Sequence, residues 1–154
     1  MVAFVFRAPA GVAGDVTRPD DTVVEPAFIN PENAPTAFGV AVAMVNGRIE
    51  KLADGVTPYG VLTRVAPSIA GDITQAFEDG TPNPAAPQGV AVQGYVNVLC
   101  LSGDPVRGEV ATINLDESAG AVGAFTTGGG SGSAKMTWAV AGKDENDLGE
   151  IRIF

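Results

Sequence analysis

Phe38-Gly-Val-Ala-Val-Ala-Met-Val45, then Asn46-Gly47, then Arg48-Ile-Glu-Lys-Leu52 decide the fold class. Successive side chains of a strand point to opposite faces, so a half-buried strand alternates with a period of two. Here Val40, Val42 and Met44 fall on one face and small alanines on the other. Asn-Gly tolerates the positive φ angles of a two-residue hairpin turn, and Arg48–Leu52 reads as the returning strand.

The rest of the chain repeats this grammar. Tyr59–Val65 is a strand bounded by Pro58 and Pro67. Val90–Leu101 is the longest, with Val90, Val92, Gly94, Val96, Val98 and Cys100 assigned to one face and Tyr95, Leu99 and Leu101 to the other. Apolar residues on both faces mark a central or covered strand. Further strands are expected at Val2–Phe6, Val23–Phe28, Glu109–Asn114, Ala121–Thr126, Lys135–Ala141 and Gly149–Phe154. Ala121–Thr126 and Lys135–Val140 read as two arms of one hairpin, with Gly128–Ser133 as its flexible tip. Helix signals are few; Ile73–Glu78 offers one turn. Short strands with regular turn signals predict an all-β, single-domain β-barrel or jelly-roll-like sandwich, with long Pro-rich loops and little helix.

Composition narrows the function. At 154 residues the chain is one domain of ordinary size. It has no histidine and one cysteine, Cys100, which removes imidazole chemistry, disulfide frameworks and multi-cysteine metal sites. A net charge of −9 disfavours nucleic acid and anionic membrane as partners. No apolar run approaches the ~18 residues of a membrane span. Val2–Phe6 precedes Arg7, the reverse of a signal peptide's order. Few charges on a Val- and Ala-rich chain suggest a surface partly covered by partners.

Candidate chemistry is thin. Asp20-Asp21, Glu78-Asp79 and Asp116-Glu117 read as solvated loop charge, and Asp144-Glu145-Asn146-Asp147 as a polar turn. An EF-hand would need an oxygen ligand where Leu148 stands. Gly128–Gly130 lacks the lysine and following helix of a phosphate loop. Cys100 has no histidine to activate it and reads as core; Ser102 lacks a triad; Trp138, alternating with Met136, reads as core.

Two proline-rich runs resist strand formation. Arg18–Pro35 carries Pro19, Pro26, Pro31 and Pro35; Gly80–Gln88 carries Pro82, Pro84 and Pro87. Proline donates no ladder bond, so both runs are expected to be extended surface loops that lose little entropy on docking.

The order of short blocks then carries a resemblance. Gly14-Asp-Val-Thr-Arg18, Thr22-Val-Val-Glu-Pro26 and Phe38-Gly-Val-Ala-Val42 precede Tyr59-Gly-Val-Leu-Thr-Arg64. Gln93-Gly-Tyr-Val-Asn-Val98, Gly103-Asp-Pro-Val-Arg-Gly-Glu-Val110 and Gly149-Glu-Ile-Arg-Ile153 follow. Over residues 11–154 the chain resembles the structural cement, or head-decoration, proteins of tailed bacteriophages. The resemblance implies a virion protein assembled in the host cytoplasm. It would sit on the outer surface of the phage head, bind the major capsid protein, and stabilise the shell against internal DNA pressure, often as a dimer or trimer. It implies no enzyme activity and no cofactor. Our own expectation for the contact residues is Val2, Phe4, Phe6 and Arg7 on an N-terminal strand or arm at 1–10. Arg18, Pro19, Pro26, Phe28 and Pro31 would act from the first proline-rich run, and Pro82, Pro84 and Pro87 from the second. The alternative is a carbohydrate-binding β-sandwich module, which would need Tyr59, Tyr95 and Trp138 exposed in a row; a carboxylate-pair hydrolase is a third possibility.

Overall fold

The computed structural model describes residues 12–64, 81–128 and 132–154. Among them are nine strands: β1 (Val23–Ile29), β2 (Ala41–Val45), β3 (Arg48–Lys51), β4 (Gly60–Thr63), β5 (Gln88–Leu99), β6 (Val110–Ile113), β7 (Phe125–Thr126), β8 (Gly132–Trp138) and β9 (Leu148–Ile153). The only helix among the described residues is two 3-10 turns, η1 (Pro19–Asp21) and η2 (Pro31–Asn33). Each opens on proline, whose fixed φ suits a first helical position. The expected strand at Val2–Phe6 and turn at Ile73–Glu78 lie outside the described residues.

The hairpin forms as the alternation predicts. Asn46 and Gly47 take positive φ angles of 50° and 76°, and β2 pairs antiparallel with β3, Val45 opposite Arg48. Val40 and Val42 enter one core cluster, and Ala41 and Ala43 the other.

Five strands close a barrel in the order β1-β3-β2-β4-β5, with β5 returning to β1. Ile29, Val40, Val42, Ile49, Leu62 and Val90 fill it, each fully buried. Closure leaves, among the described residues, only the Val23–Ala27 edge of β1 unpaired within the barrel. From Gly94 onward β5 leaves the barrel and pairs with β9, opening a second sheet ordered β5-β9-β8-β6-β7. That sheet curls back on itself, because Cys100 bridges to Phe125. Its core holds Val96, Val98, Phe125, Met136, Trp138 and Ile151. Ala41, Ala43, Val61 and Ala91, from the outward side of the barrel strands, complete the same cluster. Small side chains at these positions let the two sheets back closely onto one another.

Three expectations are corrected. First, the strand expected at Val23–Phe28 forms and the loop expected for the whole run 18–35 does not: β1 pairs antiparallel with β5 from Val23 to Ala27, Pro26 lying opposite Gly89. Proline is tolerated there because β3 joins the other edge of β1 only from Phe28 onward. Second, the even residues of β5 do not share one face. Val90 and Val92 belong to the barrel cluster, while Val96, Val98 and Cys100 belong to the other. The register skips Val92, since Val23 pairs with Gln93 and Val24 with Ala91. A bulge of one residue inverts the alternation beyond it. Third, β7 and β8 are not hairpin partners: β6 lies between them, Thr112 pairing with both Thr126 and Gly132. Residues 121–124 turn out of the sheet instead, where the Gly123 carbonyl accepts from Ala41 N at 2.8 Å and Ala124 enters the barrel-side cluster.

Candidate interaction surface

β1 brings the first group of expected contact residues onto one ribbon. Val24, Pro26 and Phe28 share its outward side by period two, opposite the buried Ile29. Val23, Val24 and Phe28 are 49%, 42% and 49% exposed. Apolar side chains on a strand with a partly open edge present both contact area and free backbone groups. Tyr59, also exposed, donates its hydroxyl to Glu25 of β1. That carboxylate acceptor holds the phenol above its usual pKa of 10.0, so Tyr59 keeps its proton.

The β1–β5 register also joins the two proline-rich runs. Gln88 lies opposite Ala27, so Pro87, one residue before it, stands beside the Phe28 end of β1. Residues 81–87 form an ordered turn, in which Asn83 Oδ1 accepts from Ala85 N at 2.9 Å and Gln88 Nε2 donates to the Asn83 carbonyl. Pro87 is exposed and Pro84 half-buried, but Pro82 is buried. Pro82 packs within the fold and is removed from the contact set.

Pro31 opens η2 just beyond β1, exposed. The turn is pinned at two points: Asn30 Nδ2 and Asn33 Nδ2 donate to the two Glu50 carboxylate oxygens on β3, at 2.8 and 3.0 Å. These bonds, that of Asn30 foremost, hold the Glu50 pKa below its ordinary value of 4.5.

Arg18 and Pro19 lie at the opposite end of β1. Thr22 Oγ1 donates to the Arg18 carbonyl and accepts from Tyr95 N, fixing η1 on β5. The Arg18 guanidinium stacks 3.9 Å from the Tyr95 ring centroid, and its Nη2 lies 3.1 Å from Glu150 Oε1. Arg18 is thus partly engaged within the fold. The residues around it that sequence reading missed are Tyr95, Glu150 and Arg152, which face one another only because β5 and β9 are neighbours, separated by about fifty residues of chain. Val2, Phe4, Phe6 and Arg7 lie outside the described residues.

Other candidates resolve into structure. Cys100 is buried and burial raises its thiol pKa, so the nucleophilic thiolate is disfavoured. Asp144 Oδ1 accepts from Asn146 N and Leu148 N, and Lys143 pairs with Asp147 at 2.7 Å, which makes 143–148 a self-satisfied turn. Asp116 holds Ser118, and Glu117 pairs with Lys51 at 2.8 Å. Among the described residues no three metal-ligating side chains converge. The aromatic row of a carbohydrate platform does not form: Trp138 is 1% exposed and packs edge-on against Phe125.

A family model described as XM1 gp53 minor capsid protein matches residues 1–153. The chain belongs to this family. It is accordingly a structural component of a phage virion, associated with other capsid proteins, and the family suggests a role in building the particle rather than in catalysis. The fold is similar to that of a chain in the capsid of Myoviridae phage XM1: TM-score 0.68 and 19% identity, covering 97% of this chain and 94% of that one. At that identity the likeness speaks to fold alone. No curated protein matches the chain.

Proposed function

We propose that this minor capsid protein is a cement or decoration protein: it binds the outer surface of the major capsid protein shell and braces it against internal DNA pressure. The observation that carries this reading is the outward side of β1, where Val24, Pro26 and Phe28 are exposed on a strand whose Val23–Ala27 edge is unpaired among the described residues. An exposed apolar ribbon on an otherwise closed barrel costs solubility unless a partner covers it. Prolines at 26, 31 and 87 stiffen the ribbon and lower the entropy lost on docking. Each copy needs ~1,000 Å² of interface to bind specifically, and symmetric repetition adds avidity. The segment 1–10 acts as an arm reaching a neighbouring subunit, with the protein itself assembling as a dimer or trimer.

The test is co-sedimentation with shells lacking the protein, together with the heat resistance of the decorated particles. Wild type binds and raises the temperature of shell disruption. Val24→Asp with Phe28→Asp keeps the monomer's Tm, both sites being exposed, yet weakens shell binding at least about tenfold. Removing residues 1–9 reduces assembly more than stability. Failure of the wild type to bind any shell removes the reading.

A further inference from the structure

In a chain with twice as many acidic as basic side chains, three of the nine basic residues converge on one groove. Arg18, Arg107 and Arg152 line it together with Tyr95, Trp138 and Phe154. The three arginines and Tyr95 come from four separate places in the chain. Arg18 precedes η1, Tyr95 lies on β5, Arg107 sits in the turn before β6, and Arg152 lies on β9 directly opposite Tyr95. The volume is about 190 Å³, well below the ~300–1,000 Å³ of a small-molecule pocket, so the groove suits side chains rather than a cofactor.

The three arginines are differently engaged. Arg18 pairs with Glu150. Arg152 is held between rings, 4.3 Å from the Phe154 centroid and 5.9 Å from that of Tyr95. Neither Arg152 nor Arg107 has a carboxylate within ion-pair distance among the described residues. Stacking on aromatic faces holds a guanidinium plane in place while leaving its N–H edge free for a two-pronged bond to a carboxylate. Thr137, which lies opposite Arg152 on β8, completes the outward face of the groove.

We propose that this groove seats a carboxylate-bearing loop of the shell protein to which the molecule docks. The inference rests on the cement reading and adds to it the chemistry of the partner. Charge complementarity selects that occupant. A polyanion such as nucleic acid would meet the net charge of −9 along its length, whereas one acidic loop meets only the local positive patch. The groove adjoins η1, at the Arg18 end of β1, so one docked subunit can engage the apolar ribbon and the arginines together.

Tyr95 lines the groove opposite Arg152, so its ring resonances report on the groove. The full chain is titrated with a capped oligoglutamate peptide, with oligolysine and acetate as parallel arms, and shell co-sedimentation is measured on the same samples. A saturable change with oligoglutamate is expected, weakened by added salt. Arg107→Ser with Arg152→Ser is expected to weaken both the peptide response and shell binding at least about tenfold with the Tm retained. Both arginines are exposed; Arg107→Ser alone, in its turn, serves if the pair does not fold. Unchanged Tyr95 resonances, or shell binding by the variant equal to wild type, overturns the inference and leaves the cement reading standing. A response to acetate as strong as to the peptide overturns it in favour of free anions, and self-association abolished by the same substitutions overturns it in favour of a second copy. Shells that wild type does not bind remove the cement reading, and with it the partner named here, whatever the peptide does.

Discussion

Glu50 shows how one side chain shapes the exposed ribbon of β1. Its carboxylate receives both Asn30 and Asn33, and so holds η2, with Pro31 at its head, against β3. Its pKa in the folded protein lies below 4.5, with the Asn30 bond as the largest cause. A carboxyl whose pKa falls on folding stabilises the folded state above its unfolded pKa. That contribution is lost as pH falls through the lower, folded value. Glu50→Gln is therefore expected to lower Tm at neutral pH, since an amide offers one acceptor to two donors. The difference closes in acid well below 4.5, where the wild-type carboxyl is itself protonated. Thermal melts of both proteins across that range check it, and a Tm difference independent of pH refutes it. Nothing in the local sequence announced this contact, because Asn30 and Glu50 are twenty residues apart. Asn46-Gly47 and Cys100 were readable because their chemistry is local: a turn dipeptide in one case, a thiol within an apolar run in the other.

At the scale of the element, β5 is where periodicity and structure part. Twelve residues of apolar alternation predict one straight strand, yet β5 serves two sheets. The change of sheet takes place around the Val92 bulge and Gly94, whose φ is +114°. A Cβ at Gly94 would stand 2.3 Å from Thr22 Oγ1 and 2.5 Å from Thr22 Cα. Gly94→Ala is expected to cost about 1–3 kcal/mol from backbone strain alone, with more from the clash. Because Thr22 anchors η1, the substitution also displaces Arg18 from Tyr95. Chemical denaturation gives the cost, and the ring shifts of Tyr95 report the displacement; an unchanged midpoint would show that the strand can straighten. Among the described residues strand existence was legible from the alternation except at Ala121–Ala124. Pairing was less so. Val23–Phe28 read as a strand while Pro26 read as a loop residue, because sequence does not show that, among the described residues, one edge of β1 is unpaired at that point. Ala121–Ala124 looked like strand because its bond to Ala41 is made across the molecule.

The described residues form two curled sheets sharing one strand, and their cores are not independent. Ala41, Ala43, Val61 and Ala91 belong to barrel strands, yet they complete the cluster of Val96, Phe125, Trp138 and Ile151. Ala41 N also bonds the Gly123 carbonyl from the far side, and Lys51 of β3 pairs with Glu117. On the proposed bracing role, load would pass from the ribbon on β1 to contacts elsewhere through β5, the strand the two sheets share. One part cannot open without exposing the backing alanines of the other, so unfolding should be a single event. Ile151, fully buried on β9, is the probe. Ile151→Ala is expected to cost about 2–5 kcal/mol by leaving a cavity in the shared cluster. The loss should appear equally in Trp138 emission, which reports the second sheet, and in amide exchange of β2 and β4, which reports the barrel. Coincident transitions at a lower denaturant midpoint support one cooperative body. If Trp138 unfolds at lower denaturant while the β2 and β4 amides keep wild-type protection, the barrel stands alone, and load crossing the molecule would have to pass through partner contacts instead of β5.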